Sequence, residues 1–424
     1  MPAATRERTQ QCLGSPESGK HTGARPHVQP EILEVHATGC SKPAPAQSAR
    51  RKLLVEGWPA PLSDMRRTLV TVLVAATLVV AGLVLAAPAP ADAATSVYGY
   101  VWANQPSTSS YLANTGYELN STGGDIEVIR WEEGRYRVRF AGMGSWGGVA
   151  HVRAYGTTAN ICTVASWSHG IDLSINIRCF DSTGALADTQ FVAHFTNRTV
   201  ARGSLAYFWA DTPTAAGQYQ PFHTYAYDST GVPSQVERTG TGNYLVYINA
   251  LSALYPNHHD NGHLQVTAYN MDPVQCGMRL VGDENPTPLG VSCHDTDGNP
   301  VDSRFTVSYS HGVSHLGTTG TRGNAYIRNS WNSPTYVAGW WTSNGSQPVV
   351  SHTGTGTYWV RFPGLGTAHG HVTVSSQEIF GGSYCSVGFW YRHPIVPDEV
   401  VHVRCYDGVT HAPVDYDFGV SFHA

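Results

Sequence analysis

Cys179-Phe180-Asp181, with Cys162 before it and Asp188 and Phe191 after it, is the stretch that decides the fold, because it occurs three times. Cys276 is followed by Cys293-His294-Asp295, then Asp302 and Phe305. Cys385 is followed by Cys405-Tyr406-Asp407, then Asp415 and Phe418. Each copy reads Cys, 16 to 19 intervening residues, Cys-x-Asp, then Asp-x-x-Phe. A constellation returning about every 110 residues is a repeated domain.

Working outward, each copy is embedded in short alternating segments. Tyr98-Gly99-Tyr100-Val101-Trp102 alternates at period two, as do Arg135 to Phe140 and Val149 to Tyr155, which is the pattern of half-buried strands. Glu133-Gly134 predicts a hairpin turn, and it returns as Thr239-Gly240-Thr241-Gly242-Asn243-Tyr244 and Thr353-Gly354-Thr355-Gly356-Thr357-Tyr358. Ala206 to Pro213 matches Tyr100 to Pro106, and the third copy is expected to open at Ala325 with Trp331 in the place of Trp102 and Trp209. The fold class expected is all-β: three tandem antiparallel β-sandwiches, jelly-roll or Ig-like, each with one disulfide. The repeats are placed at 95–197, 203–310 and 322–424, with short linkers at Asn197 to Arg202 and His311 to Arg322 that predict a rod of domains.

Ahead of the repeats, residues 1–64 lack any apolar period and read as disorder or as a mis-assigned start. Met65-Arg66-Arg67, an apolar run from Leu69 to Ala87, and Ala91-Asp92-Ala93 read as a signal peptide over 65–93. Its rival, a membrane span, is long enough but has the wrong small-residue exit. A secreted, extracellular chain with no membrane attachment after cleavage follows. Residues 94–424 carry 16 Arg, no Lys and 24 acidic side chains, a net charge of −8. Such a chain is a poor partner for nucleic acid or anionic membrane, and a monomer is expected.

Two of the eight cysteines precede the repeats. The other six, Cys162, Cys179, Cys276, Cys293, Cys385 and Cys405, form three like-spaced pairs, the arithmetic of disulfides in an exported protein. Zinc fits less well, because no repeat adds a shared histidine pair at ligand spacing.

The Tyr100-Val101-Trp102-Ala103 and Tyr207-Phe208-Trp209-Ala210 openings, the Thr-Gly-x-Gly-x-Tyr hairpin and the Cys…Cys-x-Asp…Asp-x-x-Phe ending together resemble the tandem-repeat secreted proteins of high-GC soil bacteria, across residues 95–424. The resemblance implies export and β repeats and assigns no catalytic or binding residue. The hairpin by itself also looks like those of phage tail-fibre and C1q-like jelly rolls.

Candidate chemistry is sparse. Asp181-Ser182-Thr183-Gly184 and Asp295-Thr296-Asp297-Gly298 suit turns better than a calcium loop, since position 12 of the latter is Thr306. Asp188, Asp302 and Asp415 are expected to bond loop N–H groups. An insertion unique to the second repeat, Leu254 to Gly262, introduces His258, His259 and Asp260 beside His263, a donor set suited to a divalent metal such as zinc, copper or nickel. Trp146, Trp340 and Trp341 do not recur and are candidate glycan-binding aromatics. No Gly-x-Ser-x-Gly, His-Glu-x-x-His or phosphate-loop signature occurs, and no repeat cysteine is left over as a nucleophile. These features point to a non-catalytic binding protein without a cofactor, directed to an extracellular glycan, cell wall or protein partner. The alternatives are a hydrolase with its site near the second-repeat histidine loop, and an inhibitor or toxin-like protein.

Overall fold

The structure is a computed structural model. It describes residues 96–200, 202–252, 262–281, 288–318, 323–330, 333–377 and 381–424. The expected signal peptide and start region, His258, His259, Asp260 and Trp331 lie outside the described residues.

The regular secondary structure of the described chain is almost entirely strand, and each repeat is a two-sheet antiparallel sandwich. Repeat one contributes β1 (Val97–Ala103), β2 (Ser110–Leu112), β3 (Glu118–Asn120), β4 (Ile126–Glu132), β5 (Arg135–Phe140), β6 (Val149–Ala154), β7 (Ile161–His169), β8 (Leu173–Phe180) and β9 (Phe191–Asn197). One sheet runs β3-β1-β9-β6 and the facing strands run β7-β8-β5-β4-β2. Repeat two contributes β10 (Ser204–Ala210), β11 (Gln218–Tyr219), β12 (Ala226–Asp228), β13 (Gln235–Gly240), β14 (Asn243–Tyr247), β15 (His263–Tyr269), β16 (Gln275–Leu280), β17 (Leu289–His294) and β18 (Arg304–His311). Its sheets run β12-β10-β18-β15 and β11-β13-β14-β17-β16. Repeat three contributes β19 (Asn324–Ser330), β20 (Ser333–Thr342), β21 (Val349–Gly354), β22 (Thr357–Phe362), β23 (His371–Ser376), β24 (Tyr384–Arg392), β25 (Glu399–Tyr406) and β26 (Phe418–His423), in sheets β20-β19-β26-β23 and β21-β22-β25-β24.

The motif residues that recur in sequence converge in space. In repeat one the hairpin glycine, Gly134, takes a positive φ of 65° and lies against the backbone of Cys179 and Ala187; a Cβ there would come within 2.5 Å of the Cys179 carbonyl oxygen. Gly134 also accepts from the Cys179 N–H through its own carbonyl. Its N–H donates to Asp188 Oδ1 at 3.1 Å, and the Tyr136 hydroxyl donates to the same atom at 3.0 Å. Tyr136 then lies 5.1 Å, ring to ring, from Phe191. The same node forms from Gly242, Cys293, Asp302, Tyr244 and Phe305, and again from Gly356, Cys405, Asp415, Tyr358 and Phe418. A basic side chain completes each: Arg130 and Arg238 in the first two, and His352, whose Nε2 lies 2.8 Å from Asp415 Oδ1, at the same register position in the third. Each expected disulfide is present, joining directly opposed residues of β7–β8, β16–β17 and β24–β25. A loop of this length, closed covalently, contributes about 3 kcal/mol in the chain-entropy account.

The turns after the second cysteine are side-chain-capped turns. Asp181 Oδ1 accepts from the backbone N–H groups of Thr183 and Ala185, and Asp295 Oδ1 from those of Asp297 and Asn299. These carboxylates close the loops themselves, as turn chemistry requires.

The repeats do not form the expected rod. They pack side by side as one compact unit. Tyr269 of β15 pairs in parallel with Val164 of β7, and Tyr155, just past β6, bridges in parallel to Val387 of β24. Strand β15 also contacts β23, and the Gln377 amide donates to the Leu264 carbonyl at 3.0 Å. Repeat one thus meets repeat three, three meets two, and two meets one, a closed head-to-tail ring within a single chain. The physical reason is on the strands: β6, β9, β18, β23 and β26 are buried on nearly every residue, so neither face of these strands is left to solvent.

The opening aromatics seal this ring rather than the sandwich cores. Trp102 packs with Tyr117, Tyr155 and Trp390 of repeat three, with ring centroids 5.0 to 5.6 Å from it. Trp209 repeats the arrangement with Tyr225, Tyr269 and Trp167 of repeat one, at 5.0 to 5.9 Å. Cross-strand register settles the third equivalent: Trp102 opposes Val192, Trp209 opposes Thr306, and Arg328 opposes Gly419. Arg328, not Trp331, therefore holds the third position.

Candidate functional site

Where the three sheets meet, the side chains that alternation points away from each sandwich core are polar, and six are histidines: His151, His194, His263, His315, His371 and His423. Two sets of equivalent positions, related by register, hold three of these histidines. Val149, His263 and His371 are equivalent on β6, β15 and β23, and His194 is equivalent to Ser308 and Ser421 on β9, β18 and β26. His315 comes from the segment joining repeats two and three. All six are at most 3% exposed.

The periphery of the group is hydrogen-bonded. His151 bridges repeats one and two through Thr267 Oγ1 at 3.0 Å and Ser308 Oγ at 2.7 Å. His423 Nδ1 contacts the Asn324 amide oxygen. Its centre is different. His315 Nδ1 lies 2.8 Å from Ser421 Oγ and its Nε2 lies 3.0 Å from His371 Nδ1. His194 Nε2, His371 Nε2 and both ring nitrogens of His263 are buried without a hydrogen-bond partner. Ring centroids separate His194 from His315 by 4.6 Å and from His371 by 5.4 Å. One nitrogen from each of His194, His315 and His371 lies within 4.8 Å of the other two.

Burial holds all of these rings neutral. It lowers His263 and His371 to about 3 and His423 to about 4, and pushes His151, His194 and His315 well below the ordinary histidine value. Arg153, buried in the same inter-repeat layer, donates to the Val266 carbonyl at 3.0 Å, and burial lowers it to about 10. A set of neutral, lone-pair-bearing imidazoles can do two things: join neutral hydrogen-bond chains, or ligate a metal.

Of the sequence candidates, His263 alone of the insertion group falls among the described residues, and it sits on β15 at the edge of this cluster, 6.5 Å from the His315 ring. Trp340 and Trp341 are adjacent on β20, so alternation turns them to opposite faces. Trp340 packs against the third core, and Trp341 stacks on Tyr326 at 5.7 Å. Trp146 is 77% exposed, against the His169 ring. Nothing in the sequence groups the central histidines, because His194 and His371 are lone polar residues on separate strands and His315 lies in the segment between repeats, and only ring closure brings them together.

A second feature lies on the outer surface of repeat three. Tyr336 and Val337 of β20 and Val349 and Val350 of β21 line a groove of about 460 Å³ with Thr335, Gln347 and Pro348. Each of the two strands is the edge of its sheet, and the Tyr336 side chain is exposed. Among the described residues no helix is long and apolar enough to cross a membrane. Comparison of the chain with protein-family models, with curated proteins and with solved structures returned no match.

Proposed function

We propose that this is a secreted, non-catalytic β-sandwich repeat protein that binds an extracellular glycan, and that the groove between β20 and β21 receives it. The groove carries the reading. Its volume is that of a small-ligand site. An exposed tyrosine ring flanked by Thr335 and Gln347 offers an apolar platform with hydroxyl and amide groups beside it, which matches the two faces of a sugar. The three disulfides fit an oxidising compartment outside the cell. The recurring Asp188, Asp302 and Asp415 are used in the Gly–Asp–Tyr nodes, a structural use that supports the non-catalytic reading.

The test is a glycan array and a cell-wall pull-down with the full secreted chain, repeated with Tyr336→Ala. Binding that Tyr336→Ala weakens at least about tenfold supports the reading. Absence of binding to every polysaccharide and peptidoglycan tested, or binding indifferent to Tyr336, overturns it.

A further inference from the structure

We propose that His194, His315 and His371 form a binding site for one zinc-class divalent ion at the centre of the three-repeat ring, with His263 placed to join them. The donor set is imidazole alone, which suits zinc, copper or nickel and disfavours magnesium and calcium, which need oxygen ligands.

Three observations carry this. The first is proximity: three ligand nitrogens lie mutually within 4.8 Å. A tetrahedral ion held at about 2.0–2.1 Å places its ligands about 3.4 Å apart. His315 Nε2 and His371 Nδ1, 3.0 Å apart, are already near that separation, and His194 offers a nitrogen within 4.8 Å of both rings' donors.

The second observation is the unpaired nitrogens. Leaving a buried polar atom without a partner costs about 1–3 kcal/mol, and native interiors satisfy nearly all of them. Here His194 Nε2, His371 Nε2 and both nitrogens of His263 are unsatisfied within one small cluster. An ion takes one nitrogen from each ring, and the unpaired Nε2 of His194 is a lone pair it can use.

The third is orientation. A ligating histidine commonly donates its other ring N–H to an oxygen, which fixes the tautomer. His315 does this toward Ser421 Oγ at 2.8 Å. His371 is further held by stacking on Tyr100, 5.0 Å away.

The three ligands come from repeat one, from the segment between repeats two and three, and from repeat three. The ion therefore ties the ring together at the point where no single repeat has a complete site. This inference is independent of the glycan groove, which is on the outer face of repeat three.

The internal repeat supplies variants that keep packing intact. His194→Ser introduces the residue found at the equivalent Ser308 and Ser421, and His371→Val introduces that of Val149. Elemental analysis of the full secreted chain, purified without chelator, and titration with Zn²⁺ alone should give about one ion per chain and a rise in the thermal midpoint that a chelator reverses. Both variants should remain folded by circular dichroism and bind at least about tenfold more weakly. No Zn²⁺, Cu²⁺ or Ni²⁺ bound by the wild-type chain would overturn the proposal. So would undiminished affinity in both variants, or loss of binding in His258→Ala/His259→Ala with the central histidines intact.

Discussion

Replacing Asp302 by alanine tests the node that each repeat builds from its motif residues. The Asp302 carboxylate receives Arg238 through Nε at 2.9 Å and Nη2 at 2.8 Å, the Gly242 N–H at 2.9 Å and the Tyr244 hydroxyl at 3.3 Å. Alanine removes all four. Tyr244 keeps one bond, from the Ser303 N–H at 3.2 Å, while the Gly242 N–H is orphaned beneath the hairpin. A hydrogen bond to a charged group contributes about 1.5–3 kcal/mol, and an orphaned buried donor costs about 1–3 kcal/mol. The ion pair is partly exposed, at 29% and 21%, so solvent screening leaves it a minor share. The expected loss is about 3 kcal/mol, a large part of a typical stability of 5–15 kcal/mol. Urea unfolding at pH 7 measures it, with Asp297→Ala as the control because that side chain is exposed on the neighbouring turn and should change stability by less than about 0.5 kcal/mol. An Asp302→Ala midpoint indistinguishable from that control would refute the node as a source of stability. The Arg238 guanidinium, then the Gly242 N–H, hold the Asp302 carboxyl below its ordinary range. Its contribution is therefore present above the unfolded carboxylate value and lost as pH falls through the folded one.

The buried histidines predict a second acid sensitivity. Their folded values lie well below 6.5, so the stability they contribute is complete above about pH 6.5 and falls as acid protonates the unfolded chain, by about 1.4 kcal/mol per histidine per pH unit. The urea midpoint should drop steeply between pH 6.5 and 5, and a flat profile there would contradict their burial as neutral rings. Glu399 acts in the opposite sense. It is fully buried opposite Phe362, where repeat one places Leu173 opposite Phe140, and its Oε1 has no partner. Burial raises its carboxyl to about 8, so the folded state favours the protonated form and loses stability as pH rises from about 4.5 through about 8. Glu399→Leu should gain about 1–3 kcal/mol at pH 7 and flatten the alkaline side of the profile, and an unstable Glu399→Leu protein would show that the carboxyl has a role beyond filling space.

The cysteine spacing, the Gly-x-Tyr hairpins and the Asp-x-x-Phe endings were legible because each is local: a disulfide hairpin, a turn and an acceptor meet within one repeat. Trp102 and Trp209 recur at one register position, and both are partly buried between repeats rather than inside one. Trp331 misled because a tryptophan near the start of repeat three looks like its counterparts, while strand register assigns the place to Arg328.

The sequence by itself determined three disulfide-closed β-sandwiches, since period-two alternation and fixed motif spacing are properties of neighbours along a chain. Only the tertiary structure decided that the sandwiches close into a ring and that their polar faces are interior. His194, Ser308 and Ser421 lie on the strand face turned away from each sandwich core, and alternation marks which face is polar and not what covers it. What covers them is two other repeats, some hundred residues away in the chain, and burying polar faces against one another is what gathers isolated histidines into one site.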